Sequence, residues 1–109
     1  MTTTYKVLGQ SNPSAAADTT LYTVPAATAA VVSTISVCNF GTTSTTFRVA
    51  IRPSGNSLAN LQYVAFDTTV SSYDTIYLTI GATMQANSVI TVRAATANVA
   101  FSAFGSEIS

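Results

Sequence analysis

Charged residues are scarce in this chain, and the scarcity limits what the chain can bind. Only 7% of the 109 residues are Asp, Glu, Lys or Arg, whereas an average soluble domain has about 25%. Four cations and four anions cancel to a net charge of zero. Nucleic-acid binding requires the neutralisation of several phosphates, so this composition argues against it. A weakly charged surface also lacks repulsion between molecules, which favours a protein whose surface is covered in an assembly.

Histidine is absent and cysteine occurs once, as Cys38. The chain therefore lacks the commonest general base and the commonest metal ligand. Cys38 has no histidine to activate it and stands among apolar strand residues, so we interpret it as a small buried hydrophobic side chain rather than a nucleophile. A single cysteine cannot form an internal disulfide. We predict no enzyme activity, no cofactor and no metal site.

The few acidic residues are not spaced for catalysis or for metal binding. Asp67 and Asp74 flank one turn and are the one candidate for a glycosidase-like pair of carboxylates. Asp is also an ordinary turn residue, and that is the interpretation we favour. The spacing of a calcium loop is missing, and the glycines are too scattered for a phosphate-binding loop.

No apolar run has the length of a transmembrane segment. The opening residues MTTTYKVLGQ lack the apolar core of a signal peptide. We therefore expect synthesis in a host cytoplasm and no contact with a membrane.

What the chain has in quantity is β-branched and aromatic residues, separated by small polar turns. A strand ends at Pro25, a short Ala/Thr connection follows, and the longest predicted strand runs from Val31 to Phe40, with Val31, Ile35 and Val37 on one face. Seven or eight such strands recur about every ten residues. This pattern predicts an all-β protein, a single antiparallel β-sandwich with either jelly-roll or immunoglobulin-like topology.

The first 18 residues differ from the rest because they are polar and rich in turn formers. We predict an N-terminal arm or edge strand for 1–18, with a frayed tail as the alternative, and the sandwich domain for 19–109.

Four residues are candidates for contact with a partner protein: Tyr5, Lys6, Arg48 and Arg52. Tyr5 and Lys6 belong to the predicted arm. Arg48 and Arg52 share a strand face on which they either meet acids of a neighbouring chain or act as solvated edge charges that discourage wrong pairing, the reading we favour. The five tyrosines also allow a protein or carbohydrate contact face, although tyrosine is common in strands for packing reasons alone.

A resemblance to a known group extends across nearly the whole chain. It is carried by VLGQSNPSAAADTTLYTVPAATAAVVSTISVCNFG at 7–41, and by TTFRVAI, LTIGATMQANSVITVRA and VAFSAFGSEI further on. In these segments the chain resembles small virion proteins of tailed bacteriophages, cyanophages among them. These segments have low sequence complexity and consist of residues typical of strands and turns, and they carry no catalytic residue.

The resemblance implies a small β-sandwich, often trimeric, that cements or decorates a capsid or forms part of a tail. We accordingly expect a capsid cement protein on the virion surface that bridges major capsid subunits as a homotrimer. A tail, baseplate or fibre component of the same virion is the first alternative. A carbohydrate-binding β-sandwich module is the more distant one.

Overall fold

The computed structural model describes residues 2–109 and confirms the all-β sandwich, with eight antiparallel strands. Two short 3-10 turns, Pro53–Gly55 and Asn60–Gln62, lie between the fourth and fifth strands. The strands are β1 (Thr3–Ser11), β2 (Thr19–Thr23), β3 (Ala29–Asn39), β4 (Thr45–Arg52), β5 (Tyr63–Val70), β6 (Thr75–Met84), β7 (Val89–Ala94) and β8 (Val99–Ile108).

The strands form two four-stranded sheets whose order defines the topology. Sheet A has the order β1-β8-β3-β6 and sheet B has the order β2-β7-β4-β5, and all neighbours are antiparallel. This alternation of strands between two sheets of four is the jelly roll, one of the two topologies that the sequence left open. An immunoglobulin-like sandwich would instead divide its strands as ABED and CFG.

The hydrophobic core lies between the inner faces of the two sheets. Phe47 of β4 and Phe101 of β8 meet edge to face at its centre, with ring centroids 6.2 Å apart. Both rings are almost fully buried, and burial of a side chain of this kind contributes about 1.5–3 kcal/mol. Further core residues are Val24, Val32, Ile35, Val37, Val49, Val70, Met84, Ile90, Val92 and Val99.

The predicted face of β3 is wrong in its first half. The buried residue is Val32, not Val31, and it shares the core with Ile35 and Val37. The pairing register of β3 shifts between Val32 and Thr34, so an extra residue is inserted there as a β-bulge. The bulge reverses the alternation of side chains, and the hydroxyl of Ser33 donates a hydrogen bond to the Phe104 carbonyl at 3.1 Å.

The N-terminal segment is built into the sandwich. Strand β1 pairs with β8 along its length, from Thr3 opposite Ile108 to Ser11 opposite Phe101. The backbone amide of Thr2 donates to the Ser109 carbonyl at 2.6 Å, which joins the two ends of the described chain. Residues 3–11 are thus the edge strand of sheet A.

No helix within residues 2–109 combines the length and the apolar character that crossing a membrane requires.

Candidate partner-contact surface

The charged residues are divided unequally between the two sheets. The four strands of sheet A contain only two of them, Lys6 and Glu107. Glu107 lies beside the buried Ala30 in the pairing register, and both charged side chains belong to the inner face of the sheet. The outer face of sheet A therefore carries no charged side chain on any of its described strands.

We call this outer face the uncharged face. Two rows of paired residues cross all four strands: Tyr5, Ser106, Val31 and Thr83 form one, and Val7, Phe104, Thr34 and Thr79 form the other. Further members are Gln10, Ser36, Cys38, Thr75, Tyr77, Ala100 and Ser102.

Large side chains on the uncharged face are open to solvent. Tyr5 is 83% exposed, Tyr77 is 67% exposed and Val7 is 49% exposed. Aromatic side chains are enriched at protein interfaces and charged residues are depleted from interface cores, so this face has the composition of an interface. Tyrosine suits such a position because its ring packs while its hydroxyl stays hydrogen-bonded.

The outer face of sheet B has the opposite character, since Arg48, Arg52 and Arg93 all project from it. The guanidinium of Arg48 makes two hydrogen bonds to Asp67, at 2.7 and 3.2 Å. It also lies 4.1 Å from the centroid of the Phe66 ring, a cation–π contact. The hydrogen bonds from Arg48 lower the pKa of the Asp67 carboxyl, and the same contact raises the pKa of Arg48.

The other two arginines are held by groups of their own chain as well. Arg52 donates to the carbonyls of Asn56 and Gly55 at 2.7 and 3.2 Å. Arg93 lies 3.8 Å from the carboxylate of Asp18. The interpretation of Arg48 and Arg52 as edge charges is wrong, because β4 lies between β7 and β5 in sheet B.

The inner charged pair of sheet A ties the two sheets together. The Lys6 ammonium lies 2.8 Å from Glu107 Oε1, and the hydroxyl of Tyr22, on β2 of sheet B, donates to Glu107 Oε2 at 2.5 Å. Hydrogen bonds from Lys6 and then from Tyr22 lower the pKa of Glu107. Burial, followed by the hydrogen bond to Glu107, raises the pKa of Tyr22 above its usual value of 10.0.

The structure separates the four residues that the sequence singled out. Tyr5 lies on the uncharged face, and Lys6 points the other way into the cross-sheet contact. Arg48 and Arg52 lie on the outer face of the opposite sheet. Val7 and Tyr77, which were not among these four candidates, lie with Tyr5 on the uncharged face. The alternation of side chains along β1 and β6 could have identified them from the sequence, because residues two apart on a strand share a face.

The acidic residues and the cysteine considered in the sequence analysis lie at separate places in the fold. No cluster of three or more Cys, Asp or Glu side chains forms a metal site among residues 2–109. Asp67 is bound by Arg48, whereas Asp74 accepts a hydrogen bond from the backbone amide of Thr75 at 2.9 Å, as a turn residue does. Cys38 is half-buried rather than buried, because it lies on the uncharged face and not in the core.

Shallow depressions mark the surfaces of both sheets. One of about 240 Å³ is lined by Arg48, Asp67 and Arg93 among others. A second, of about 280 Å³, is lined by Asn60, Tyr63 and Phe66. Both lie on sheet B. A third, of about 330 Å³, lies on sheet A, and Gln10, Ala100 and Ser102 of the uncharged face are among its lining residues.

The chain matches no protein-family model, no curated protein and no solved structure.

Proposed function

We propose that this protein is a structural component of a tailed-phage virion, a cement or decoration protein that binds across major capsid subunits. The observation that carries the proposal is the uncharged face of sheet A, with Tyr5, Val7 and Tyr77 exposed on it. One further observation supports it, since the jelly roll recurs among viral capsid domains. The proposal also agrees with the expectation from the resemblance described in the sequence analysis.

The size of the uncharged face suits a protein contact. Strand β8 has 10 residues, which corresponds to roughly 33 Å at about 3.3 Å per residue. Four strands spaced by about 4.8 Å add a width of about 19 Å. The resulting footprint of about 600 Å² approaches the roughly 800 Å² that each partner buries in an interface of standard size.

The mechanism of such a protein is passive. Contact area added across the boundary between two capsid subunits must be broken before the subunits separate, so the head resists internal pressure. An uncharged face is suited to this task because it can be buried without leaving an unpaired charge. Burial of a Tyr or Val side chain on such a face contributes without the desolvation cost that an ammonium or a carboxylate carries.

The test is binding to expanded empty heads that lack this protein. We expect the purified protein to co-sediment with the heads up to a fixed number of copies per particle. Labelled antibody on whole particles then distinguishes heads from tails. Absence of binding to heads, together with label on the tail, would reject the cement function in favour of a tail, baseplate or fibre component.

A carbohydrate-binding function is the second candidate, and one observation favours it. Tyr63 and Phe66 form an aromatic pair with centroids 4.8 Å apart, and they line the 280 Å³ depression together with Asn60. Phe66 is 53% exposed and Tyr63 is half-buried, and partly exposed aromatic rings beside an amide are a suitable surface for a sugar ring. A glycan array with wild-type protein and Phe66→Ala tests it: signals that Phe66→Ala abolishes would support a sugar site, and an array without signals would remove this candidate.

A further inference from the structure

Each sheet ends in two edge strands, which pair with another strand of the sheet on one side only: β1 and β6 in sheet A, β2 and β5 in sheet B. An open edge is a template for pairing with another strand, and proteins block it with short strands, bulges and charges.

Three of the four described edges carry such protection. Strand β1 has Lys6 and a register shift between Val7 and Gly9. Strand β2 is only five residues long and shifts register between Thr20 and Tyr22. Strand β5 is bulged beside Asp67, which is charged and has a φ of 48°.

The fourth edge is unprotected over half of its length. Strand β6 has 10 residues, TIYLTIGATM, none of them charged and none of them proline. Its one irregularity lies at Gly81, which has a φ of 56°. The segment before it, Thr75–Thr79, pairs with β3 in unbroken register from Cys38 to Thr34. The opposite side of this segment pairs with no described strand, and there only the amide of Thr75 has a side-chain partner, Asp74 Oδ1 at 2.9 Å.

The inward row of β6 is also incompletely covered. Ile76, Leu78 and Ile80 pack against the core but remain half-buried, since no strand lies outside them. A strand added along β6 would cover these side chains and satisfy the open backbone groups at the same time.

We propose that the occupant of this edge is a second copy of the same chain, paired β6 to β6 about a two-fold axis beside Tyr77. The sequence of Thr75–Thr79 is Thr-Ile-Tyr-Leu-Thr. In antiparallel self-pairing centred on Tyr77, each residue is therefore opposite a residue of the same chemical type. Thr75 faces the partner's Thr79, Ile76 faces the partner's Leu78, and Tyr77 faces the partner's Tyr77.

The self-pairing is favourable in every position of the segment. Aromatic and Thr–Thr pairs directly across antiparallel strands each contribute to stability, whereas like charges in the same place are destabilising. A self-paired β1 would bring two copies of Lys6 towards each other, and a self-paired β5 would do the same with Asp67. The absence of charge on β6 thus fits a partner that is a copy of itself.

The pairing joins two sheets A into one continuous sheet of eight strands and makes the free protein a dimer. It differs from the trimer that the sequence resemblance implies, and it does not depend on the virion function. An experiment can therefore reject the dimer without rejecting the virion function, and the reverse.

The first test is the native mass, by light scattering behind a sizing column. We expect twice the chain mass at high protein concentration, with dissociation on dilution. Tyr77→Lys places two ammonium groups at the axis, and we expect at least a tenfold weaker dimer. Thr83→Lys is the matched control, since Thr83 lies on the same strand and face beyond Gly81, and we expect its dimer to be unchanged.

The second test locates the axis. In a Cys38→Ser background, Tyr77→Cys places two thiols directly opposite each other, at the Cα separation of about 4.5–5.5 Å that suits a disulfide. We expect a covalent dimer on mild oxidation, and none from Thr83→Cys in the same background. A monomer, a trimer, or a dimer that Tyr77→Cys does not cross-link would overturn the proposal.

Discussion

We expect the hydrogen bond between Tyr22 and Glu107 to contribute more to the free energy of unfolding than the ion pair between Lys6 and Glu107. Tyr22 is 7% exposed and donates to a carboxylate at 2.5 Å. A hydrogen bond to a charged group contributes about 1.5–3 kcal/mol. Lys6 holds the same carboxylate at 2.8 Å, but 46% of its side chain is exposed, and pairs of that kind contribute at most about 1 kcal/mol.

We therefore expect Tyr22→Phe to lower the free energy of unfolding by about 1.5–3 kcal/mol at neutral pH, and Lys6→Met to lower it by less than about 1 kcal/mol. Urea denaturation followed by tyrosine fluorescence measures both variants. Phe keeps the ring and removes only the hydroxyl, so the loss reports the hydrogen bond rather than a cavity.

The pH dependence supplies the control. The pKa of Glu107 is lowered in the folded protein, so its contribution is present above the ordinary value of 4.5 and is lost as the pH falls through the folded value. In acid, a neutral carboxyl still accepts from Tyr22, at about 0.5–1.5 kcal/mol. The cost of Tyr22→Phe should therefore shrink in acid, and an equal cost at both pH values would refute a charge-assisted contact.

Three further predictions test the core and the strand geometry. Phe101→Ala should cost about 3–5 kcal/mol in urea denaturation, because Phe101 is buried against Phe47 at the core centre. Gly105→Ala should prevent stable folding, since the added Cβ would lie 2.0 Å from the Val31 carbonyl oxygen. At Gly81 the added Cβ would meet no atom, so Gly81→Ala should cost only about 1–2 kcal/mol of backbone strain. Thermal melting followed by circular dichroism distinguishes the two variants. The Cys38 thiol, half-buried on a strand, should react slowly with a thiol reagent in the native protein and rapidly in urea.

The alternation of apolar residues predicted the strands well where pairing is regular. In β4, Phe47 and Val49 alternate with Arg48 and Ala50, and both are buried in the core. Strand β3 shows the limit. Its bulge between Val32 and Thr34 arises from pairing with β8, about 70 residues away in sequence, and nothing local to β3 encodes it.

The candidate surface was predictable only in part, for a related reason. The scarcity of charged residues is visible in the composition. Their distribution between the two sheets depends on the strand order, which is set by pairing between strands distant in sequence. Lys6 illustrates this, because its neighbour Tyr5 is exposed while Lys6 itself reaches Glu107 across the sheet. Arg48 was a candidate for contact with a neighbouring chain, with a solvated edge charge as the favoured interpretation, yet its guanidinium contacts Asp67 and Phe66 of its own chain.

The most direct test of the uncharged face compares one substitution on the two sides of the molecule. Val7 on the uncharged face is 49% exposed, and Val64 on β5 of sheet B is 47% exposed. Val7→Lys and Val64→Lys therefore add the same charge at matched edge-strand positions, and urea denaturation checks that both variants fold. We predict that Val7→Lys abolishes co-sedimentation with expanded empty heads while Val64→Lys binds like the wild type. Equal binding by both variants, or loss with Val64→Lys alone, would contradict the assignment of the uncharged face as the contact surface.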